Sequence, residues 1–302
     1  MNTPKVAIVM LNYNGYEDTH ECIQSIESVF YNNYDVIVVD NASTRDDAGR
    51  LRVNFPNVTV IESSKNLGFT GGNNVGLLKA YEIGADYIFC LNNDTVVSEN
   101  ILEELVGFME ENQDVGLVGP LMCYYDSKTT VSSAGGTVER NTGLISFFHR
   151  GDTVNDIVDG TIFCEFIEGS ALFIRASLMK RIGGFNDFYF LTSEESELCV
   201  RVADLGYRLA VISSCRVWHK VSQTMVTMSE LSSYYIFRNK LFFVKFNHST
   251  FVFKNFLHIL KYYCICFSSF LLVKREYFAC WGMVKGVIDF CLGRGGSGRF
   301  KN

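Results

Sequence analysis

The stretch VAIVMLNYNG (Val6–Gly15) decides the fold class: six apolar residues in a row, Val6 to Leu11, stop at Asn12-Tyr13-Asn14-Gly15. An unbroken apolar run of this length suits a strand buried on both faces, and a polar break with glycine turns such a strand toward a helix. Further segments continue the pattern. The spacing predicts a helix around Asp18–Phe30, strands at Val36–Asp40 and Val58–Glu62, a helix over Asn73–Ile83, and a strand Tyr87–Leu91 running into Asn92-Asn93-Asp94. Strands alternating with helices predict a doubly wound α/β sheet. Ligands of such sheets bind beyond the carboxyl ends of the strands, where this chain places Asn12-Tyr13-Asn14, Asp40-Asn41-Ala42-Ser43 and Asp94. Each group is also an ordinary turn former; their convergence on one rim points to a site.

The chain has 302 residues, 48% hydrophobic and 20% charged, which excludes a disordered chain and a small disulfide scaffold. Its length predicts about two units. The net charge of −6 argues against a nucleic-acid partner. That total is uneven. Residues 234–302 carry 11 Lys/Arg against 2 Asp/Glu, and residues 1–233 carry 16 against 31. An acidic body suits a divalent cation, and a basic, aromatic-rich tail suits an anionic membrane face. The 10 cysteines form no CxxC pair and fall partly in apolar runs, as buried thiols of a reducing compartment do. The short apolar run before Asn12 does not read as a signal peptide, so a cytoplasmic location is expected.

Two further segments carry candidate chemistry. NLGFTGGNN (Asn66–Asn74) matches neither GxGxxG nor a P-loop and reads as a flexible turn feeding a helix N-terminus, which favours an anion. Glu194-Glu195-Ser196-Glu197 opens a helix that Gly206 ends. Carboxylates in a first helical turn are stabilised by the helix dipole alone. Beside Phe188-Tyr189-Phe190, however, one of them could be desolvated enough to act as a base near neutral pH.

Taken together, LNYNG (Leu11–Gly15), VDNAST (Val39–Thr44), NLGFTGGNN, LNND (Leu91–Asp94), GSALFIR (Gly169–Arg175), GGFNDFYFLTSEESELCVR (Gly183–Arg201), Trp218-His219 and YYIFRNK (Tyr234–Lys240) resemble, in order, the family 2 glycosyltransferases. Within that family they resemble the rhamnosyltransferase-like branch of bacterial surface-polysaccharide synthesis. The resemblance implies a GT-A fold: an α/β, doubly wound mixed sheet over residues 1–240, with a C-terminal helical extension over 241–302. It implies inverting transfer of a sugar from a nucleotide diphosphate to a saccharide acceptor, with dTDP-rhamnose as the leading donor. The alternatives are UDP-galactose, UDP-N-acetylglucosamine or UDP-galactofuranose, or an inactive nucleotide-sugar fold serving as an assembly partner.

By the same resemblance the donor is held by Asn12, Tyr13, Asn14, Asp40, Asn41, Ser43, Asn66, Gly68, Gly71, Asn73, Asn93 and Asp94. Asp94 and His219 are the implied ligands of Mg²⁺ or Mn²⁺, and Gly169, Ser170, Glu197, Arg238 and Asn239 lie on the acceptor side. The implied base is Glu195, with Glu194 and Glu197 as competitors. The chain departs from the family pattern at Asn92 and Asn93, which replace acids, at Glu195 and Glu197, where Asp is usual, and at Lys220-Val221-Ser222, which lacks a glycine.

In the tail, Lys254, His258, Lys261 and Ser268 form a polar stripe opposite Phe256, Ile259, Leu260, Tyr263 and Phe267. Phe251–Lys274 therefore predicts an interfacial amphipathic helix, too interrupted to span a bilayer. The alternative is packing on the catalytic body or in a homodimer. The resemblance implies an acceptor linked to polyprenyl diphosphate, and with the tail this places the protein peripherally on the inner face of the membrane. Gly293–Asn302 is expected to be a mobile basic end.

Overall fold

β1 (Val6–Asn12) is buried from Val6 to Met10, as its apolar run requires. A computed structural model describes residues 3–158, 160–220, 229–247 and 253–300, with the side chains of 253–258 outside the description. The chain continues through α1 (Tyr16–Glu27), β2 (Tyr34–Asp40), α2 (Asp47–Asn54), β3 (Thr59–Glu62), α3 (Gly68–Glu82), β4 (Tyr87–Asn92), β5 (Thr95–Val97), α4 (Ile101–Glu111) and β6 (Val115–Tyr124). The segment read as irregular holds the short strands β7 (Val131–Ser133), β8 (Gly136–Glu139), β9 (Leu144–Phe147) and β10 (Thr161–Cys164). β11 (Ala171–Arg175), α5 (Ala176–Ile182), α6 (Glu194–Asp204), β12 (Arg208–His219), α7 (Glu230–Asn247), α8 (Phe253–Ser268) and α9 (Tyr277–Cys291) complete the described chain.

One mixed sheet runs β10-β12-β6-β11-β4-β1-β2-β3, with β5 on β12 and β7 on β6. β1 pairs in parallel with β2 on one side and β4 on the other, so the strand order reverses there and opens a crevice at their carboxyl ends. β11 is antiparallel to both β4 and β6. β12 is parallel to β6 and carries its last residues against β5, pairing His219 with Thr95. Residues far apart in sequence thereby meet at one rim.

The glycine-rich segment departs from the flexible turn expected of it. α3 starts at Gly68, not Asn73, and Gly72 and Gly76 lie inside it. A Cβ on Gly72 would overlap Leu11, and one on Gly76 would overlap Val9 and stand 3.4 Å from Val39. These glycines let the helix lie directly on β1 and β2.

The tail differs as well. The 240/241 boundary falls in the middle of α7, and Ile259, Tyr263, Phe270 and Met283 share one apolar core with Leu198, Val200 and Phe237 of the body. Gly282 and Gly286 of α9 sit against the carbonyls of Glu230 and Tyr234, drawing α9 onto α7. Instead of one helix to Lys274, α8 stops at Ser268, a π-helical turn covers Ser269–Lys274, and Arg275 takes a left-handed φ of 56° before α9 turns back. Lys261 and Ser268 of the expected stripe are exposed, while Lys254 and His258 lie outside the described side chains. No described helix is long and apolar enough to cross a membrane. Nor is the basic end free over its described part, because Gly296 N–H donates to Phe188 O at 2.7 Å and Arg299 Nε to Asp289 at 2.8 Å.

Gly76→Ala tests the close approach of α3. Overpacking costs about 1–3 kcal/mol and helix propensity returns up to about 1 kcal/mol, so the urea midpoint is expected to fall; an unchanged midpoint would show that α3 has room to move off Val9.

Candidate active site

The polar residues after β1 and β2 mostly hold one another. Asn12 is fully buried; its Nδ2 donates to Ser43 Oγ at 3.1 Å and Asp47 Oδ2 at 3.2 Å, and its Oδ1 accepts from Thr19 Oγ1 at 2.7 Å. Asn14, at φ 54°, accepts from Thr44 N–H and Oγ1, and Ser43 donates to Asp40 Oδ1 through N–H at 3.0 Å and Oγ at 2.6 Å. Asn41 bonds the N–H of Leu67, the carbonyl of Gly68 and Oδ1 of Asn66. Asn12, Asn14 and Ser43 therefore shape the rim without lining its cavity. Tyr13 does line it: a cavity of about 310 Å³ is bounded by Leu11, Tyr13, Asn41, Asn66, Gly68 and Phe69, and closed by Phe190, Leu191, Leu231, Tyr235 and Phe300. Asp40 lies just outside this cavity, with Oδ1 committed to Ser43. Gly71 and Asn73, also expected at the donor, are not brought there either. Gly71 borders a separate depression with Lys180 and Asp187, and Asn73 spends its Nδ2 on Phe69 O within α3.

At the end of β4, Asn93 turns toward α1 and donates to Thr19 Oγ1 at 2.9 Å. The β5–β12 pairing sets Asp94 beside His219, with Nε2 3.2 Å from Asp94 Oδ1. His219 Nδ1 lies 3.1 Å from Glu168 Oε1, which also accepts from Ser170 Oγ at 2.9 Å. Burial opposes charge on the imidazole, but the two carboxylates outweigh it and raise His219 to about 10. Glu168 is held below the ordinary carboxylate range: burial pushes it up, and the His219 hydrogen bond and charge pull it further down.

Glu168 is the residue that sequence reasoning missed. It directly precedes the Gly169-Ser170 pair, and the one available signal was an acid next to that pair.

A second cavity, of about 520 Å³, is lined by the polar residues Asn92, Glu168, Ser170, Glu194, Glu195 and His219, by Gly169, and by Leu144, Ile145, Ile236, Lys240 and Tyr262. Gly169 makes room for Glu195, since a Cβ on it would lie 3.1 Å from that residue's Cβ. Burial, supplemented by the Glu168 charge, raises the Glu195 carboxyl to about 7. Glu194 is pushed higher by burial and by its two glutamate neighbours, and its Oε2 is buried with no partner. Glu195 is thereby poised to exchange a proton near neutral pH. Glu197 is not part of this cavity; it pairs with Arg201 at 2.7 Å along α6.

Arg238 and Asn239, expected to face the acceptor, are instead fully buried beneath the loop that leads to the glutamates. Arg238 donates to Tyr189 O at 3.0 Å, and Asn239 donates to the carbonyls of Tyr189, Leu191 and Thr192 at 2.8, 2.7 and 3.0 Å. Phe190, Thr192 and Ser193 in that loop have φ of 67°, 69° and 67°. Left-handed backbone at three non-glycine residues persists only where the surroundings enforce it.

Among the described residues no group of three or more His, Cys, Asp or Glu side chains is arranged to enclose a metal. Asp94 Oδ1 is nevertheless buried, and its one neighbour among the described donors is His219 Nε2, at 3.2 Å. An oxygen and a nitrogen so placed fit a divalent cation that takes its remaining ligands from a diphosphate and water, once the imidazole gives up its proton.

Similarity to known proteins agrees with this arrangement. Residues 7–181 match the model of the family described as Glycosyl transferase family 2. The chain is 24% identical over 242 residues to the low-salt glycan biosynthesis hexosyltransferase Agl10 of Haloferax volcanii, covering 78% of this chain and 74% of that one. It is 20% identical over 236 residues to the N-acetylglucosaminyl-diphospho-decaprenol L-rhamnosyltransferase of Mycobacterium tuberculosis, covering 72% and 76%. In fold it resembles the mannosyltransferase PcManGT of Pyrobaculum calidifontis, solved with GDP-Man and Mn²⁺, at a TM-score of 0.59 and 16% identity, covering 97% of this chain and 76% of that one. With its mixed sheet and family match, the chain is a GT-A-fold member of glycosyl transferase family 2.

Proposed function

We propose that this glycosyltransferase inverts the anomeric carbon of a nucleoside-diphosphate sugar, with Glu195 as base, and that the donor is dTDP-rhamnose. The observation that carries the mechanism is Glu195, raised to about 7 in the same cavity as His219 and Glu168. The acceptor hydroxyl attacks the anomeric carbon from the face opposite the diphosphate and passes its proton to Glu195. The bond from the anomeric carbon to the diphosphate oxygen breaks, and the departing electron pair leaves on the diphosphate. Glu168 and Asp94 orient His219 from its two ring nitrogens. Mg²⁺ or Mn²⁺ held by Asp94 and His219 would supply Lewis-acid stabilisation of the leaving group. Support for rhamnose comes from the mycobacterial relative, whose name also specifies a lipid-diphosphate acceptor.

An acceptor of that kind suits the lining of the cavity around Lys240. Lys240 has no carboxylate within ion-pair distance among the described residues; it lies over the Tyr262 ring at 4.8 Å, and burial lowers its pKa. An unpaired ammonium beside Leu144, Ile145 and Ile236 suits an anionic group joined to an apolar chain. Exposed Leu272, Val273, Tyr277, Phe278 and Trp281, together with Lys274 and Arg275, suit peripheral contact with anionic lipid on the inner membrane face.

Glu195→Gln is expected to lower kcat by about 10²–10⁴-fold, and the wild-type kcat/KM to rise through about pH 7 to a plateau. Because the folded pKa lies above the ordinary 4.5, the stability this carboxyl contributes is present below pH 4.5 and lost as pH rises through about 7. The variant should therefore gain in melting temperature over wild type at pH 8 and not at pH 4.5. Full activity in Glu195→Gln would remove it as base.

Thermal shift with Mn²⁺ and a panel of dTDP-rhamnose, UDP-galactose, UDP-N-acetylglucosamine and UDP-galactofuranose should show strong stabilisation by dTDP-rhamnose, abolished in Asp94→Asn. Stabilisation by a UDP-sugar instead would change the donor. Binding with neither transfer nor hydrolysis would indicate an inactive assembly partner.

Flotation with phosphatidylglycerol vesicles should recover the wild-type chain and leave Phe278→Ser/Trp281→Ser in the soluble fraction. Equal flotation would remove this face as the membrane contact, and a wild-type dimer that the double variant breaks would assign it to a second copy.

A further inference from the structure

We infer that the C-terminal strap, Gly293 to Phe300, is part of the donor site and that Phe300 is a donor-binding residue packing against the nucleobase. This rests on the nucleoside-diphosphate-sugar reading above. After α9 the chain turns back along α7 and is fixed at several points. Asp289 is fully buried and accepts from Tyr234 Oη and Arg299 Nε, each at 2.8 Å, and from Arg294 Nη1 at 3.3 Å. Tyr235 Oη donates to Ser297 O at 3.0 Å. Gly298, at φ 59°, passes so close to Tyr234 that any Cβ would overlap its hydroxyl.

The strap therefore ends in a defined place. Phe300 packs edge-on to Tyr234 with ring centroids 5.0 Å apart and tilts against Tyr235 at 6.3 Å, while Tyr235 stacks on Phe190 at 5.3 Å. Phe300, Tyr235 and Phe190 form an aromatic wall of the 310 Å³ cavity that Tyr13, just after β1, and Asn66, between β3 and α3, also line. Asn66 spends its Oδ1 on Asn41 and on Gly68 N–H, and its Nδ2 has no acceptor among the described residues. A cavity with aromatic walls and one free amide donor suits a flat ring bearing a carbonyl, which is the chemistry of a nucleobase. Aromatic packing tolerates any base, so the ring supplies affinity and the amide supplies the preference for a carbonyl.

The test measures binding of UDP, dTDP and inorganic pyrophosphate, each with Mn²⁺, by calorimetry on the full chain and on Phe300→Ala and Phe300→Leu. Both variants should weaken UDP or dTDP binding by roughly 5- to 100-fold, leave pyrophosphate binding unchanged, and raise the donor KM with little change in kcat. Phe300→Leu keeps apolar bulk on Tyr234, so it guards against simple loss of folding. Wild-type nucleotide affinity in both variants, or equal loss of nucleotide and pyrophosphate affinity, would overturn the role of Phe300 and leave the glycosyltransferase reading standing. A full chain that binds pyrophosphate but neither UDP nor dTDP would overturn both.

Discussion

Three backbone carbonyls, those of Tyr189, Leu191 and Thr192, are held by one buried side-chain amide, Asn239 of α7. Much of the site depends on that contact. The loop it holds contains three non-glycine residues in left-handed backbone, each disfavoured by about 1–2 kcal/mol in isolation. Without buried donors beneath it, the loop would relax and α6 would start elsewhere. Glu194 and Glu195 occupy the first turn of α6, so their placement, burial and proton affinity follow from α7. The C-terminal helices are thus structural supports of the site.

This dependence explains why a boundary at residue 240 does not describe the molecule. Charge counting separates an acidic body from a basic tail, and that division of charge is real. Packing does not follow it. Much of the tail's positive charge serves local structure: Arg238 is enclosed beneath the loop, and Arg294 and Arg299 neutralise Asp289. What remains exposed near the α8–α9 turn, Lys261, Lys274 and Arg275, is a smaller and more localised surface than the total suggests.

The strands of the first half were legible because β1, β2 and β4 are buried on both faces, and such strands carry the signal in composition alone. The rim they create was legible for the same reason. Side-chain roles were less so, because Asn and Asp serve equally as turn formers and as ligands. Asn12 and Asn41 have the residue types a donor site needs and use their hydrogen-bonding capacity on neighbouring loops. Glycines raised the opposite problem. Gly72 reads as flexibility in isolation, and only the distances from Gly72 to Leu11 and from Gly76 to Val9 reveal that these glycines allow close packing. Glu168 was hidden because its partner is 51 residues away and its importance comes from that contact, not from its neighbours in sequence.

The same contact bears on how the cavity keeps two kinds of carboxyl apart. Glu168 and Glu195 line one cavity, yet their proton affinities move in opposite directions. Burial raises both; the difference is His219, which gives Glu168 a cationic hydrogen-bond partner. Glu168 is thereby kept ionised, and its negative charge helps keep the proton affinity of Glu195 high. Glu195 lies along Gly169, where an added Cβ would stand 3.1 Å from the Glu195 Cβ and force it to shift. A base near neutrality and a permanently charged orienting acid can therefore share a cavity of about 520 Å³ because only one of them has a cation to hold.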